Sequence, residues 1–160
     1  MTQSSRRYQM QTRRETLKQT AIVAGLLASA GFPQFAHAAF NKAAFEAKSV
    51  QDAAKAAGAS SMAESKDVTI TAPDIAENGA VVPMTGSTTL PGVKHILILV
   101  EKNPASLVAM FHVSDAVEAS FTTRAKMGQS SDVYAVAIMN DGKALWAKKE
   151  VKVTLGGCGG

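Results

Sequence analysis

The sequence predicts an all-β protein: an immunoglobulin-like antiparallel β-sandwich of about seven strands, preceded by one N-terminal helix and ending in a glycine arm. Three observations carry that prediction. From Val68 onward, short runs of β-forming residues recur at regular spacing, each closed by a turn signal. No helical periodicity interrupts them. The last run alternates apolar and charged residues as far as Leu155, after which the chain reads Gly156-Gly157-Cys158-Gly159-Gly160.

A chain of 160 residues that is 46% hydrophobic is long enough for one domain with a substantial core. Its formal charge of +4 invites a nucleic-acid reading, but the charge is unevenly placed. Residues 1–38 carry Arg6, Arg7, Arg13, Arg14 and Lys18 against Glu15, and everything after them is balanced. No basic stripe is left for nucleic acid or a membrane surface. The basic segment has the three parts of an export signal. Arg13-Arg14 with Leu17-Lys18 forms a twin-arginine n-region, Ala21 to Ala30 is an apolar stretch too short to span a bilayer, and Ala36-His37-Ala38 is a small-x-small cleavage site. Residues 1–38 are therefore expected to be a twin-arginine signal peptide cleaved after Ala38, with the mature protein in the periplasm. Thr16 departs from that pattern, which has Phe there, and leaves a Sec signal as the alternative. Twin-arginine export moves folded proteins, and with no cofactor site in view a co-exported partner is the expected reason.

Taken in order, residues 39–66 are expected to form a helix and a linker. Phe40, Ala43, Ala47, Val50, Ala54 and Ala57 recur at spacings of three and four, predicting one helix over 40–57 that Gly58 stops. Because that stripe is mostly alanine, the helix could pack on a partner as readily as on its own domain. The polar residues Ser60, Ser61, Glu64, Ser65 and Lys66 read as linker. Residues 67–155 form the sandwich domain, with strands expected at 68–72, 80–87, 93–101, 107–113, 119–127, 132–140 and 143–154. Pro73, Asn78-Gly79, Pro91-Gly92, Asn103-Pro104, Ser114-Asp115, Gly128 and Asp141-Gly142 separate them, the last as a two-residue hairpin signal. In the final strand Leu145, Ala147, Val151, Val153 and Leu155 share one face and Lys148, Glu150 and Lys152 the other, with Lys149 the misfit on the apolar side. That pattern predicts a firm root at Leu155 and a flexible arm, residues 156–160, beyond it.

Cys158 is the sole cysteine. A lone cysteine in an exported protein cannot close an internal disulfide, so it pairs between molecules or remains a reactive thiol. Flanked by Gly156, Gly157, Gly159 and Gly160, it has no neighbours able to pack around it, which argues against a core position. It lacks the rigid surroundings of a catalytic nucleophile. A cysteine thiol has a pKa of about 8.5 unless cations or a helix N-terminus lower it. No such group adjoins Cys158 in sequence, so a receiving enzyme would have to activate it. The geometry suits a carrier arm reaching into another protein's cleft.

His95 and His112 lack a further ligand at metal spacing, and Met62, Met84, Met110, Met127 and Met139 are scattered as core filler. No nucleotide-binding loop or nucleophile elbow is present, and the carboxylates fall mainly at turns and in the linker. The expectation is a chain with no catalytic residues, no metal site and no cofactor.

These residues resemble the SoxY family, the sulfur-carrier subunits of the periplasmic thiosulfate-oxidising (Sox) system. The resemblance runs from Val68 to Gly160. It is carried by Thr71-Ala72-Pro73-Asp74-Ile75-Ala76-Glu77-Asn78-Gly79-Ala80-Val81-Val82-Pro83, by Leu90-Pro91-Gly92-Val93, and by Val100-Glu101-Lys102-Asn103-Pro104. Lys126-Met127-Gly128-Gln129 and the tail from Val151 to Gly160 complete it. The resemblance implies a heterodimer with SoxZ and a non-catalytic carrier whose Cys158 holds a thiosulfate-derived adduct. The c-type cytochrome complex SoxAX would attach thiosulfate as a cysteine S-thiosulfonate, and the manganese-dependent hydrolase SoxB would release sulfate. In some organisms the molybdenum–haem dehydrogenase SoxCD would oxidise the remaining sulfane.

Three functional classes stay open on the residues alone. They are a covalent carrier, an interaction module whose cysteine only forms an intermolecular disulfide, and a carrier using a C-terminal Gly-Gly thiocarboxylate. The last requires ATP-dependent activation, which does not suit an exported protein.

Overall fold

The computed structural model describes residues 41–154. The expected signal peptide and the arm with Cys158 lie outside the described residues.

The helical segment is two helices rather than the single one expected: α1, Lys42–Glu46, and α2, Val50–Ala56. Each has its own cap. The Asn41 side chain accepts from the Ala44 amide at 3.1 Å, and Ser49 Oγ accepts from the Asp52 amide at 3.1 Å while donating to the Asp52 carboxylate at 2.7 Å. Between them Ala47 turns extended, and its carbonyl accepts from both the amide and the hydroxyl of Ser106. A tertiary hydrogen bond thus takes the carbonyl that a continuous helix would have used. Gly58, at φ 103°, ends α2 as expected.

The expected linker is also corrected. Ser61–Glu64 forms β1, a parallel edge strand on β9, Lys143–Val153, in register Ser61↔Lys143 to Glu64↔Trp146. The other strands are β2 (Val68–Thr71), β3 (Ile75–Ala76), β4 (Val82–Thr88), β5 (Val93–Val100), β6 (Leu107–His112), β7 (Ser120–Ala125) and β8 (Ser131–Met139). The seven expected strands are all present, and β1 and β3 are additional. The larger sheet has the order β1-β9-β8-β5-β6, with β3 also paired to β9, and the smaller sheet has the order β2-β4-β7. Two-sheet packing without a disulfide is the immunoglobulin-like sandwich that the strand pattern predicts.

Two apolar layers hold it. Val68, Ile70, Val82, Met84 and Ala125 of the smaller sheet face Ile96, Ile98, Val100, Val133, Ala135 and Val151 of the larger one. On the far side of the larger sheet, Leu97, Leu99, Val136, Ile138 and Ala144 pack with Ala44, Val50, Ala53 and Ala54 of the helices. Val50, Ala54 and Ala57 of the expected stripe are therefore seated on their own domain, whereas Ala43 is exposed and Ala44 is buried in its place. Covered on both faces, β5 is buried at every position from His95 to Val100, which accounts for the unbroken run His95-Ile96-Leu97-Ile98-Leu99-Val100. Gly86 in β4 lets the sheets close: a Cβ there would lie 3.2 Å from the Ala135 Cβ and 3.4 Å from both Ile96 and Ile98.

The Asp141-Gly142 signal marks a hairpin between β8 and β9, with a correction to its type. A two-residue type I′ turn needs positive φ at both central residues, but only Gly142, at φ 86°, has it. The Gly142 amide bonds to the Met139 carbonyl at 3.0 Å and Ile138 pairs with Ala144, so the loop is of the longer kind, closed by a left-handed glycine.

Candidate functional site: the root of the carboxyl-terminal arm

Strand β9 delivers the chain to one end of the sandwich. Its residues Leu145, Ala147, Val151 and Val153 join the inter-sheet core, as their alternation predicts, while Ala144 and Trp146 pack on the helical side. Lys149, the misfit, is explained here. Its Nζ donates to the Ala72 carbonyl at 2.6 Å and pairs with the Asp74 carboxylate at 3.0 Å, so the ammonium bridges from the inner face to the segment after β2.

That segment then grips the end of β9. Strand β3 runs parallel to it, with Ile75 opposite Lys152 and Ala76 opposite Val153. The Lys152 amide donates to the Asp74 carbonyl at 3.0 Å, the Thr154 amide to Ala76 at 3.1 Å, and the Thr154 hydroxyl to Glu77 at 3.1 Å. From the opposite side Ser130 Oγ accepts the Val153 amide at 2.9 Å. Nearby, Met127 donates to the Gly79 carbonyl, Asn103 Nδ2 to the Lys126 carbonyl and Lys102 to Ser131 Oγ. Loops 72–82, 101–104 and 126–131 thus form a collar around Val153 and Thr154. Three of the five sequence stretches quoted above converge in that collar around the start of a fourth, Val151 to Thr154, and Leu90-Pro91-Gly92-Val93 falls at the opposite end, where Gly92 accepts from Asn140. Sequence reasoning missed β3, Ser130 and the Thr154 hydroxyl; the one visible signal was Lys149 out of phase.

Cys158, Gly156, Gly157, Gly159, Gly160 and the predicted root Leu155 lie beyond Thr154, outside the described residues. Chain geometry still bounds where the sulfur can go. Four residues beyond Thr154 reach at most about 13–14 Å. A groove of ≈ 640 Å³ is lined by residues that include Asp67, Thr88, Gly92, Ser114 and Glu118. It lies at the far end of the strands, because β4 runs from Val82 beside the collar to Thr88 in the groove, about 20 Å at ~3.3 Å per residue. The arm of the same chain does not reach it.

His95 and His112 are also out of reach, but the structure brings them together. His95 and His112 are directly opposed across β5 and β6, edge to face with ring centres 4.5 Å apart. His95 is 7% exposed, and its Nδ1 is buried without a hydrogen-bond partner. Burial lowers its pKa, with smaller contributions from His112 and Lys94. Its strand position faces Ile138, which pairs with Ala144, about 30 Å along β9 from the collar. Neither imidazole can act on Cys158 of its own chain. No group of three or more metal-ligating side chains occurs among the described residues.

Around the collar, exposed Lys102, Arg124, Lys126 and Lys152 stand among exposed Glu77, Glu101 and Glu150, while Lys149 and Lys148 are paired with Asp74 and Asp132.

Residues 53–158 match the family described as sulfur oxidation protein SoxY. The chain is 37% identical to the sulfur carrier protein SoxY from Chlorobium limicola f thiosulfatophilum, covering 66% of this chain and 96% of that one with a TM-score of 0.58. A variant of the superoxide reductase (neelaredoxin) from Ignicoccus hospitalis is 21% identical, covers 54% of this chain and 78% of that one, and has a TM-score of 0.48. No curated protein sequence matches the chain. With its matched region running from α2 through the sandwich to Cys158, the chain belongs to the SoxY family of sulfur oxidation proteins.

Proposed function

We propose that this protein is a non-catalytic sulfur carrier of thiosulfate oxidation in the periplasm, with Cys158 as the attachment point. The observation that carries the reading is the placement of the root. Thr154, the last described residue before the arm, is fixed in the collar, and neither the groove lined by Thr88 and Gly92 nor His95 or His112 lies within the arm's reach of it. A thiol so placed gains activation only inside another protein. Family membership and likeness to a sulfur carrier protein support the same conclusion.

Loading oxidises the thiol. Cys158 and thiosulfate join through a new S–S bond to give the S-thiosulfonate, releasing one proton and two electrons that a c-type cytochrome complex of the SoxAX kind accepts. Hydrolysis of the terminal S–S bond by a SoxB-type enzyme then consumes one water and yields a persulfide on Cys158, sulfate and two protons. Where a SoxCD-type dehydrogenase is present, it oxidises the outer persulfide sulfur to a sulfonate with three waters, passing six electrons to its own acceptor, and a second hydrolysis releases that sulfonate as sulfate and restores the thiol. Gly156, Gly157, Gly159 and Gly160 supply a tether without side chains, able to thread narrow entrances. SoxZ is the proposed constitutive partner, and the twin-arginine signal in residues 1–38 would export the folded pair.

The test is Cys158→Ser in the full chain, assayed for thiosulfate-dependent electron transfer with the partner enzymes. Complete loss supports the carrier. Retained turnover, or a cysteine found only in intermolecular disulfides, refutes it.

A further inference from the structure

We propose that the segment from Asp74 to Val82 is the docking surface for the enzyme that takes Cys158 into its active site, with Ile75 and Val81 as the anchoring side chains. The proposal rests on the carrier reading above and adds to it where the receiving protein sits.

Three large apolar side chains stand well out of the described surface: Ile75 at 58% exposure, Val81 at 56% and Val117 at 49%. Two of them belong to this one segment, and it is the segment bonded to Thr154. Isolated exposed apolar residues are ordinary on a protein surface. These two are set apart by the rigidity and the location of their support. Ala76 is buried beneath the loop, Asp74, Ala76 and Glu77 each hold the end of β9 through their carbonyls, and the Asn78 side chain accepts from the Ala80 amide at 2.8 Å. The backbone is fixed at both flanks of Ile75, so the pleat that turns Ala76 inward turns Ile75 to solvent.

The length of chain beyond Thr154 determines the occupant. With at most about 13–14 Å between Thr154 and Cys158, an active site enclosing the sulfur must have its entrance against the collar. The 74–82 loop is the part of the described collar carrying large exposed apolar side chains. The segment's own charges are Asp74, paired with Lys149, and Glu77, so this contact is expected to be mainly apolar, while cations for the anionic adduct lie deeper in the partner. The partner is therefore an adduct-processing enzyme whose entrance has an apolar rim and a cationic interior.

The experiment uses the full chain with its constitutive partner and compares Ile75→Ser, Val81→Ser, the double variant and Val117→Ser. Cys158 is loaded with tetrathionate: the thiolate attacks a central sulfur and thiosulfate leaves, so no protein docking is needed. Sulfate release by the purified sulfate-releasing hydrolase is then followed against carrier concentration and salt. The expected result is a KM raised about tenfold by each single variant and more by the double, with kcat held. Val117→Ser, at the far end, leaves KM unchanged, as does iodoacetamide reactivity of Cys158 in every variant. Unchanged KM in the double variant overturns the proposal. So does loss of the constitutive partner with KM unaltered in the remaining assembly, which would assign the patch to that partner instead. Loaded wild-type protein that yields no sulfate overturns the carrier reading and this proposal together.

Discussion

Lys149→Met tests whether one out-of-phase residue ties the arm-bearing strand to its collar. Methionine keeps the unbranched stem, so the change removes mainly the ammonium. Two interactions go with it, and the structure ranks them. The bond to the Ala72 carbonyl is short, 2.6 Å, charge-assisted, and made to a residue that is itself buried. Hydrogen bonds to charged groups contribute about 1.5–3 kcal/mol, and partial exposure of the lysine, 34%, brings this to roughly 1–2 kcal/mol. The Asp74 carboxylate is 87% exposed, so its ion pair is worth less than about 0.5–1 kcal/mol and fades with salt. For a domain of about 115 residues, 1.5 kcal/mol corresponds to a fall in Tm of roughly 6 °C. Asp74→Asn should lower Tm by no more than about 2–4 °C in low salt. Thermal and urea unfolding of both variants in the full chain make the comparison. If Asp74→Asn costs as much as Lys149→Met, the carbonyl tie is not what holds the strand and the reasoning fails.

Three further outcomes follow from the same geometry. Gly86→Val should destabilise the domain by about 1–3 kcal/mol, because its branches enter space already bounded by Ala135, Ile96 and Ile98; a neutral result in urea unfolding would contradict the close approach of the sheets. Acid should weaken the fold through His95. Its folded pKa is lowered, chiefly by burial, so between that value and the ordinary ~6.5 the unfolded state binds more protons. Stability is then complete above about pH 6.5 and is lost as pH falls through the lowered pKa; His95→Phe should flatten that slope, and an unchanged slope would refute it. Gly157→Leu should leave unfolding curves unchanged while impairing thiosulfate-dependent electron transfer, since it lies beyond the last patterned residue; unaltered turnover counts against the tether.

Much of the fold was legible because its strands carry strong local signals. The buried centre of β5 appears as an unbroken apolar run, and the inner face of β9 as an alternation interrupted only by Lys149. What was missed has weak side-chain signal or depends on register. Strand β1 is Ser-Met-Ala-Glu, exposed along most of its length, and pairs at the edge of β9 with only Met62 packed against the helix-side layer. Strand β3 is two residues long. The break in the helix had a visible clue in Ser49 with Asp52 three residues on, a capping pattern outweighed by the alanine periodicity. The pairing of His95 with His112 depends on the β5–β6 register and its bulge, which composition does not encode. The cysteine stood out by count and by its glycine neighbours. The collar that fixes where the arm starts needed tertiary structure, because its carbonyls come from a loop whose sequence announces only turns.

Intact-protein mass measurement of the full chain, incubated with thiosulfate and the partner enzymes, tests the central claim most directly. The account predicts a thiosulfonate or persulfide mass confined to Cys158, removed by a reducing thiol and absent from Cys158→Ser. An unmodified thiol after turnover of thiosulfate, or an adduct that survives the serine substitution, would contradict it.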